Sequence, residues 1–315
     1  MRRNIIIDCD PGHDDMLAIM VALSNKDKLN LLGITTVAGN QTIDKVTKNT
    51  LEILSLLKEE GIPVAKGFKD PIVKTLDNSN GTEIHGETGL GGFILPKSDI
   101  ELNELHAVDF LYKTIIENAP VTLIPIGPLT NIGLLLKAHP DVKQHIDLIS
   151  IMGGSVYSGN ATPHAEFNIW ADPEAAKIVF NSGINIVMAG LECTHKANLT
   201  FNEIDILAKS DKYVSMIIGK LNKFHSGFFM DVWDFNGAPI HDACSVMYLL
   251  FPDIFEKEKY NIDVECNGEF RGKTFTDLRD WANNDDSTTE VLMNVNREKF
   301  IKHLHDTINY FDELY

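Results

Sequence analysis

A chain of 315 residues, 44% of them hydrophobic, has the material for one large α/β core and none of the bias of a disordered or fibrous sequence. Its formal net charge of −17, from 45 acidic against 28 basic residues, repels nucleic acid and anionic membrane surfaces at long range. Only Ile5, Ile6 and Ile7 precede the first acid, too short a run for a signal-peptide core, and no apolar run approaches the ~20 residues of a membrane helix. Cys9, Cys193, Cys244 and Cys266 are far apart and without CxxC or zinc spacing, so free thiols in the cytoplasm are the expectation.

In chain order, short β-branched apolar runs alternate with helical patterns. A strand over Asn4–Cys9 is followed by a helix over Met16–Ser24, a strand over Leu31–Val37 and a helix over Ile43–Glu59 that Gly61 stops. A helix over Ala107–Asn118, a strand over Val121–Ile126 and a helix over Asn131–Lys137, capped by Thr130 or Asn131, come next. The strand Ile146–Met152 precedes a helix over Pro173–Asn181, which Asp172-Pro173 opens and Gly183 ends, and then a strand over Ile184–Ala189. From about His195 to Asp231 the pattern is helical. A helix over Ala243–Leu250, strand-like pieces Tyr260–Cys266 and Lys273–Thr276, and a helix near Arg297–Phe311 complete the chain. Strands buried on both faces and joined by helices predict a mostly parallel open sheet covered on both sides, in one domain over residues 1–315 with a helical elaboration.

In such a sheet ligands collect at the carboxyl ends of the strands. The segment IIIDCDPGHDD puts Asp8 and Asp10 there, turns at Pro11-Gly12, and opens a helix with Asp14 and Asp15. One or two acids at a helix start cap backbone N–H groups, but four this close repel one another unless a cation neutralises them. The local donors are all oxygen, which favours Ca²⁺ or Mg²⁺ over zinc. Asn40 ends the second strand at the same rim, and Ile126-Gly127-Pro128 breaks pairing at the end of the strand Val121–Ile126 and frees backbone carbonyls. The loop MGGSVYSGNATPHAEFNIWADP supplies Asn160, Glu166 and Asn168 with Phe167 and Trp170 interleaved, a mixture that suits a sugar. His241-Asp242 forms an ionisable pair before an apolar helix, and His85 stands in a glycine-flanked segment.

These residues resemble a known family. DCDPGHDD is similar to the DxDPGxDD signature of the calcium-dependent nucleoside hydrolases. VAGN, HGETGL, GPLTN, MGGS, NATPHAEFNIWADPEAA and PIHDA look like that family's further segments, in the same order, from about Asn4 to Arg297. The resemblance implies a Rossmann-like open sheet with added helices and hydrolysis of the N-glycosidic bond of ribonucleosides (inosine, uridine or cytidine) in nucleoside salvage. It implies that Asp10, Asp15, Asp242 and the Ile126 carbonyl hold Ca²⁺, with Asp10 also accepting a proton from the attacking water. It further implies that Asp14, Asn40, Asn160, Glu166, Asn168 and Asp242 bind the ribose, that His85, Met152 and Phe167 line the pocket, that Asp8 supports from behind, and that His241 protonates the leaving base. A homotetramer or homodimer is expected on the same ground.

His225, Phe228, Phe229 and Trp233 stand where tyrosines and an arginine or glutamine often contact the base, so base preference stays open. Asn40 in place of an acid, with His241, argues against the purine-specific group. Two other readings compete with this one. Asp8-Cys9-Asp10 resembles the nucleophile motif of haloacid-dehalogenase-like phosphatases, but Gly12 and His13 follow where that family has Thr or Val. A non-catalytic nucleoside-binding protein would use the same pocket, but would not need Asp10 and His241 intact.

Overall fold

The computed structural model describes residues 2–75, 86, 88–233, 236–279, 281–282 and 284–315, apart from the side chains of 228–233. Strand β1 (Arg3–Cys9) is buried from Ile5 onward and splits its side chains between two cores. Ile5 and Ile7 join one apolar cluster, and Ile6 joins the other. That division follows from the alternation of side chains along a strand, and it means the sheet is covered on both faces.

Seven further strands complete the sheet: β2 (Leu29–Thr36), β3 (Val64–Lys66), β4 (Val121–Pro125), β5 (Ile146–Met152), β6 (Ile186–Ala189), β9 (Phe255–Lys259) and β12 (Thr289–Val295). Their order is β3-β2-β1-β4-β5-β6-β12-β9, parallel throughout except for the antiparallel edge strand β9. The strand order reverses at β1, with β2 and β3 added on one side and β4, β5 and β6 on the other, so a crevice opens outside the carboxyl ends of β1 and β4, where ligands bind in sheets of this kind.

Parallel neighbours need long crossovers, and helices supply them. Helices α1 (His13–Ser24) and α2 (Ile43–Leu56) pack on one face, while α3 (Ala107–Asn118), α4 (Thr130–Ala138) and α6 (Pro173–Phe180) pack on the other. Beyond β6 the expected helical stretch resolves into α7 (Leu191–Thr194), α8 (Phe201–Ala208) and α9 (Tyr213–Trp233), with the short strand β7 (Asn198–Leu199) pairing with β8 (Ala238–Pro239). Two more helices, α10 (Ala243–Leu250) and α11 (Arg297–Asp312), return to the first face. No helix among the described residues is long and apolar enough to cross a membrane.

The five sheet strands and the helices expected from the periodicity are present. Three strands of the main sheet were not foreseen, nor was the small β7–β8 pair. β3 spans three residues, too few for a pattern. β9 reads FEKEK and is exposed beyond Phe255, so it carries no apolar alternation. β12 has a legible apolar centre, Val291-Leu292, interrupted by Glu290 and Asn294. The strand-like pieces after Tyr260 shrink to β10 (Asp263–Val264) and β11 (Thr274–Phe275), which pair with each other outside the sheet.

Neither Thr130 nor Asn131 caps α4, whose N-cap is Leu129 with no side-chain bond. The Thr130 hydroxyl instead donates to Asp172 at 2.7 Å. Asp172 also accepts the Ala175 N–H (3.0 Å), capping α6 as expected, and the Ile72 N–H (2.9 Å). One buried carboxylate thus ties the turn after β4 to the start of α6. Asp172→Ala is expected to cost about 2–3 kcal/mol in urea unfolding, a lost cap plus buried donors left unpaired. A loss under about 0.5 kcal/mol would mean that the donors find other partners.

Candidate active site

Asp8 and Asp10 reach the crevice because β1 ends there. The Asp8 Oδ1 accepts the Thr35 hydroxyl (2.5 Å) from β2 and the Asn131 amide (2.7 Å) from α4. Asn131 also donates to the Thr36 carbonyl at 2.9 Å and accepts the Phe68 N–H at 3.2 Å. Asp8 thus faces structural donors, and burial raises its pKa to about 7.

Asp10 sits differently. Its Oδ2 accepts the Asn40 N–H at 2.7 Å, while its buried Oδ1 has no hydrogen-bond partner among the described residues. The Asn40 side-chain amide holds the Asp10 carbonyl at 3.2 Å. Two glycines give this carboxylate room. A Cβ on Gly39 would stand 2.0 Å from Oδ2, and one on Gly127 would stand 2.6 Å from Oδ1.

The turn after β1 folds back on Asp15, which accepts the Gly12 N–H at 2.8 Å and the Asp10 N–H at 3.2 Å. Among the described residues, Asp14, Asp15 and Asp242 bring carboxylate oxygens within 4.8 Å of one another, all three buried. Asp242 arrives from the start of α10, far along the chain, and its carboxyl hydrogen-bonds that of Asp15. Two carboxylates meet in this way only with a proton or a cation between them. Burial first, and then Asp14, lift Asp15 to about 7. Burial first, and then the neighbouring aspartates, hold Asp10 and Asp242 well above the ordinary carboxylate range. A site built from oxygen donors, with Asp8 Oδ2 and Asp10 Oδ1 buried and unsatisfied among the described residues and its acids destabilised by mutual repulsion, fits a hard divalent cation.

The loop after β5 closes the other side. Asn168, in the short helix α5 (Phe167–Ala171), donates to the Ile126 carbonyl (3.0 Å) and the Met152 carbonyl (3.1 Å). Glu166 accepts N–H groups from Asn168 (2.9 Å), Gly154 (2.9 Å) and Ile169 (3.2 Å), and burial raises its pKa to about 7. Asn160 accepts the Phe167 N–H at 2.9 Å. At the far end, the His241 Nδ1 lies 2.8 Å from the Thr194 hydroxyl at the end of α7, with the His195 ring edge-on at 5.6 Å. Burial lowers His195 to about 4, so it carries no charge near neutrality.

The fold therefore joins Asp8, Asp10, Asp14, Asp15, Asn40, Ile126, Met152, Asn160, Glu166, Phe167 and Asn168, with Asp242 and the adjacent His241, around the sheet's carboxyl edge. His85 lies outside the described residues, as do the side chains of Phe228, Phe229 and Trp233. Sequence reading missed Thr35, Thr194 and the role of Asn131, because each acts through a partner distant in the chain. Gly39 and Gly127 were legible only as turn breakers.

The profile of the inosine-uridine preferring nucleoside hydrolases matches residues 5–302. The chain belongs to this family. It is 43% identical over 304 residues to the pyrimidine-specific ribonucleoside hydrolase RihA of Photobacterium profundum, covering 96% of this chain and 97% of that one. Among solved structures, the purine-preferring ribonucleoside hydrolase of Gardnerella vaginalis superposes with a TM-score of 0.93 at 29% identity, covering 99% of this chain and all of that one. An inosine-guanosine nucleoside hydrolase matches with a TM-score of 0.88 at 27% identity, over 98% of this chain and 99% of that one. This nucleoside hydrolase is accordingly an N-glycosidase acting on ribonucleosides, and the phosphatase and non-catalytic readings fall.

Gly127→Ala is expected to push the Asp10 carboxylate out of place. Ribonucleoside kcat/KM should drop on the order of a hundredfold, as small displacements at a reacting centre do. An unchanged kcat/KM would show that the carboxylate tolerates the shift.

Proposed function

We propose that this nucleoside hydrolase cleaves pyrimidine ribonucleosides, uridine and cytidine ahead of inosine, to ribose and free base, with Ca²⁺ bound among Asp10, Asp15, Asp242 and the Ile126 carbonyl. The pyrimidine preference rests on relatives: those at 42–43% identity carry the pyrimidine-specific name, whereas the purine-preferring structure stands at 29%. The observation that carries the rest is the unsatisfied buried oxygen of Asp10 beside three crowded carboxylates. A salvage enzyme of the cytoplasm, folded as one domain over residues 1–315 and assembled as a homotetramer or homodimer, completes the reading.

Breaking a ribosyl C–N bond develops oxocarbenium character at the anomeric carbon, so water must attack from one face while the base leaves protonated from the other. Bound Ca²⁺ would anchor that water and modestly lower its pKa. Asp10, held through Oδ2 and by the Asn40 amide, takes up the water's proton on Oδ1. Asp14, Asn40, Asn160, Glu166, Asn168 and Asp242 hold the ribose. Asn168 uses its amide hydrogens on main-chain carbonyls, so it offers a hydroxyl its Oδ1 as acceptor. Met152, Phe167 and His85 line the pocket, and Asp8 fixes the end of β1 from behind. His241, oriented by Thr194 through Nδ1, protonates the departing base.

Reducing-sugar release from uridine, cytidine, inosine and adenosine tests this. Uridine and cytidine should turn over fastest, and a faster purine would overturn the preference. His241→Ala should lose about 10²-fold or more on uridine and inosine but far less on an activated aryl riboside, whereas Asp10→Ala should lose on all of them. Equal losses for His241→Ala on both kinds of substrate would remove its role as acid.

The cation has its own signature. Asp8, Asp15 and Glu166 take up a proton near pH 7 when folded, but at ordinary carboxylate values when unfolded. The folded metal-free protein therefore holds more protons between about pH 4 and 7, and its stability falls as pH rises through that window. Ca²⁺ added after chelation should raise the melting temperature more at pH 8 than at pH 5, and more than Mg²⁺ does. No shift with Ca²⁺ would remove calcium from the reading.

A further inference from the structure

Groups from three separate parts of the chain converge on one imidazole. His13 occupies the variable position of the aspartate signature, between Gly12 and Asp14, and its ring is buried. It lies face to face with the ring of His225 from α9, with centroids 3.5 Å apart and planes 19° apart. His225 is wholly buried. The His13 Nδ1 lies 3.4 Å from Asp14 Oδ1. The same imidazole interacts with the backbone of Pro239, which has only a carbonyl to offer and stands shortly before His241 and Asp242.

By position, His225 reads as a base contact, since α9 continues into the stretch that precedes His241. Its burial and its stacking on His13 give it different work. Two flat rings in van der Waals contact, one from a turn and one from a helix, leave each other little freedom to change rotamer. Any tilt of α9 is then passed to His13, and from there to Asp14.

We propose that His13 and His225 form a stacked pair that positions the site for its sugar: His225 holds the His13 ring, and His13 sets the Asp14 carboxylate and the Pro239–Asp242 segment in register. Neither is a catalytic residue, because neither need touch the substrate. The pair governs discrimination for the ribose hydroxyls, and base preference is independent of it. This rests on the reading that Asp14 receives a ribose hydroxyl, so Asp14→Asn is the control.

The test is the ratio of kcat/KM for uridine to that for 2′-deoxyuridine in the wild type and in His13→Ala, His225→Ala, His225→Phe and Asp14→Asn. A ratio is unaffected by the fraction of protein that is folded, so general destabilisation does not move it. The ratio should fall about tenfold or more in Asp14→Asn, His13→Ala and His225→Ala. His225→Phe, which keeps a flat ring against His13, should recover most of it, and the uridine-to-inosine preference should stay at the wild-type value in both His225 variants. A ratio that falls in Asp14→Asn but not in His13→Ala or His225→Ala overturns the pair's role. So does a tenfold change in uridine-to-inosine preference in His225→Ala with the deoxy ratio unchanged, which would make His225 a base contact. If Asp14→Asn leaves the ratio intact, it is the reading of Asp14 that fails, and the pair's role falls with it.

Discussion

Repulsion among buried carboxylates is the constraint from which the rest of this structure follows. Asp8, Asp10, Asp14 and Asp15 come from one strand end and its turn, and Asp242 joins them from a distant helix start, all within the protein interior. Left alone, such a group would bind protons or spread apart. The fold surrounds it with donors fixed by the backbone: N–H groups of Gly12 and Asn40, the Thr35 hydroxyl and the Asn131 amide. Gly39 and Gly127 then let two loops close on Asp10 where a side chain would collide with it. A parallel sheet suits this purpose because all its carboxyl ends, and the loops they feed, lie at one edge.

The opposite wall of the site depends on a longer chain of support. The loop after β5 is held at Glu192 Oε1, which accepts the Ser155 hydroxyl (2.7 Å) and the N–H groups of Val156 (2.9 Å) and Tyr157 (3.1 Å). The Thr274 hydroxyl, on the small hairpin of β10 and β11, grips the Ser155 backbone at both its N–H and its carbonyl. A hairpin outside the main sheet thus fixes the loop from which Asn160, Glu166 and Asn168 emerge. Precision in a site built on loops has to come from such partners, since the loops make no sheet ladder of their own.

Much of this was legible in the sequence because the site is written in contiguous motifs. DCDPGHDD carries its own turn and its own crowding, and the sheet's central strands are apolar runs that periodicity detects. Distance in the chain hid the remainder. Asn131 reads as a helix cap, but its amide serves Asp8, which a local window cannot reveal. Thr194 and His241 meet only because β7 and β8 pair beside them. His13 looks like a filler between Gly12 and Asp14 until α9 lays His225 against it. Strand β9 was invisible for the opposite reason: it buries one residue, so nothing in its composition marks it as part of a sheet.

That strand closes one end of the sheet, and β3 closes the other. Beyond Phe255, β9 presents Glu256, Lys257, Glu258 and Lys259 to solvent, and β3 offers only Val64–Lys66. Unpaired strand edges invite a neighbouring chain to add itself, and alternating charge on one side with extreme brevity on the other are two ways of refusing it. The apolar strands between them, which in isolation would be aggregation-prone, never stand at a border. A neighbouring chain that tried to extend the eight strands described would meet charged side chains at one border and only three residues of ladder at the other.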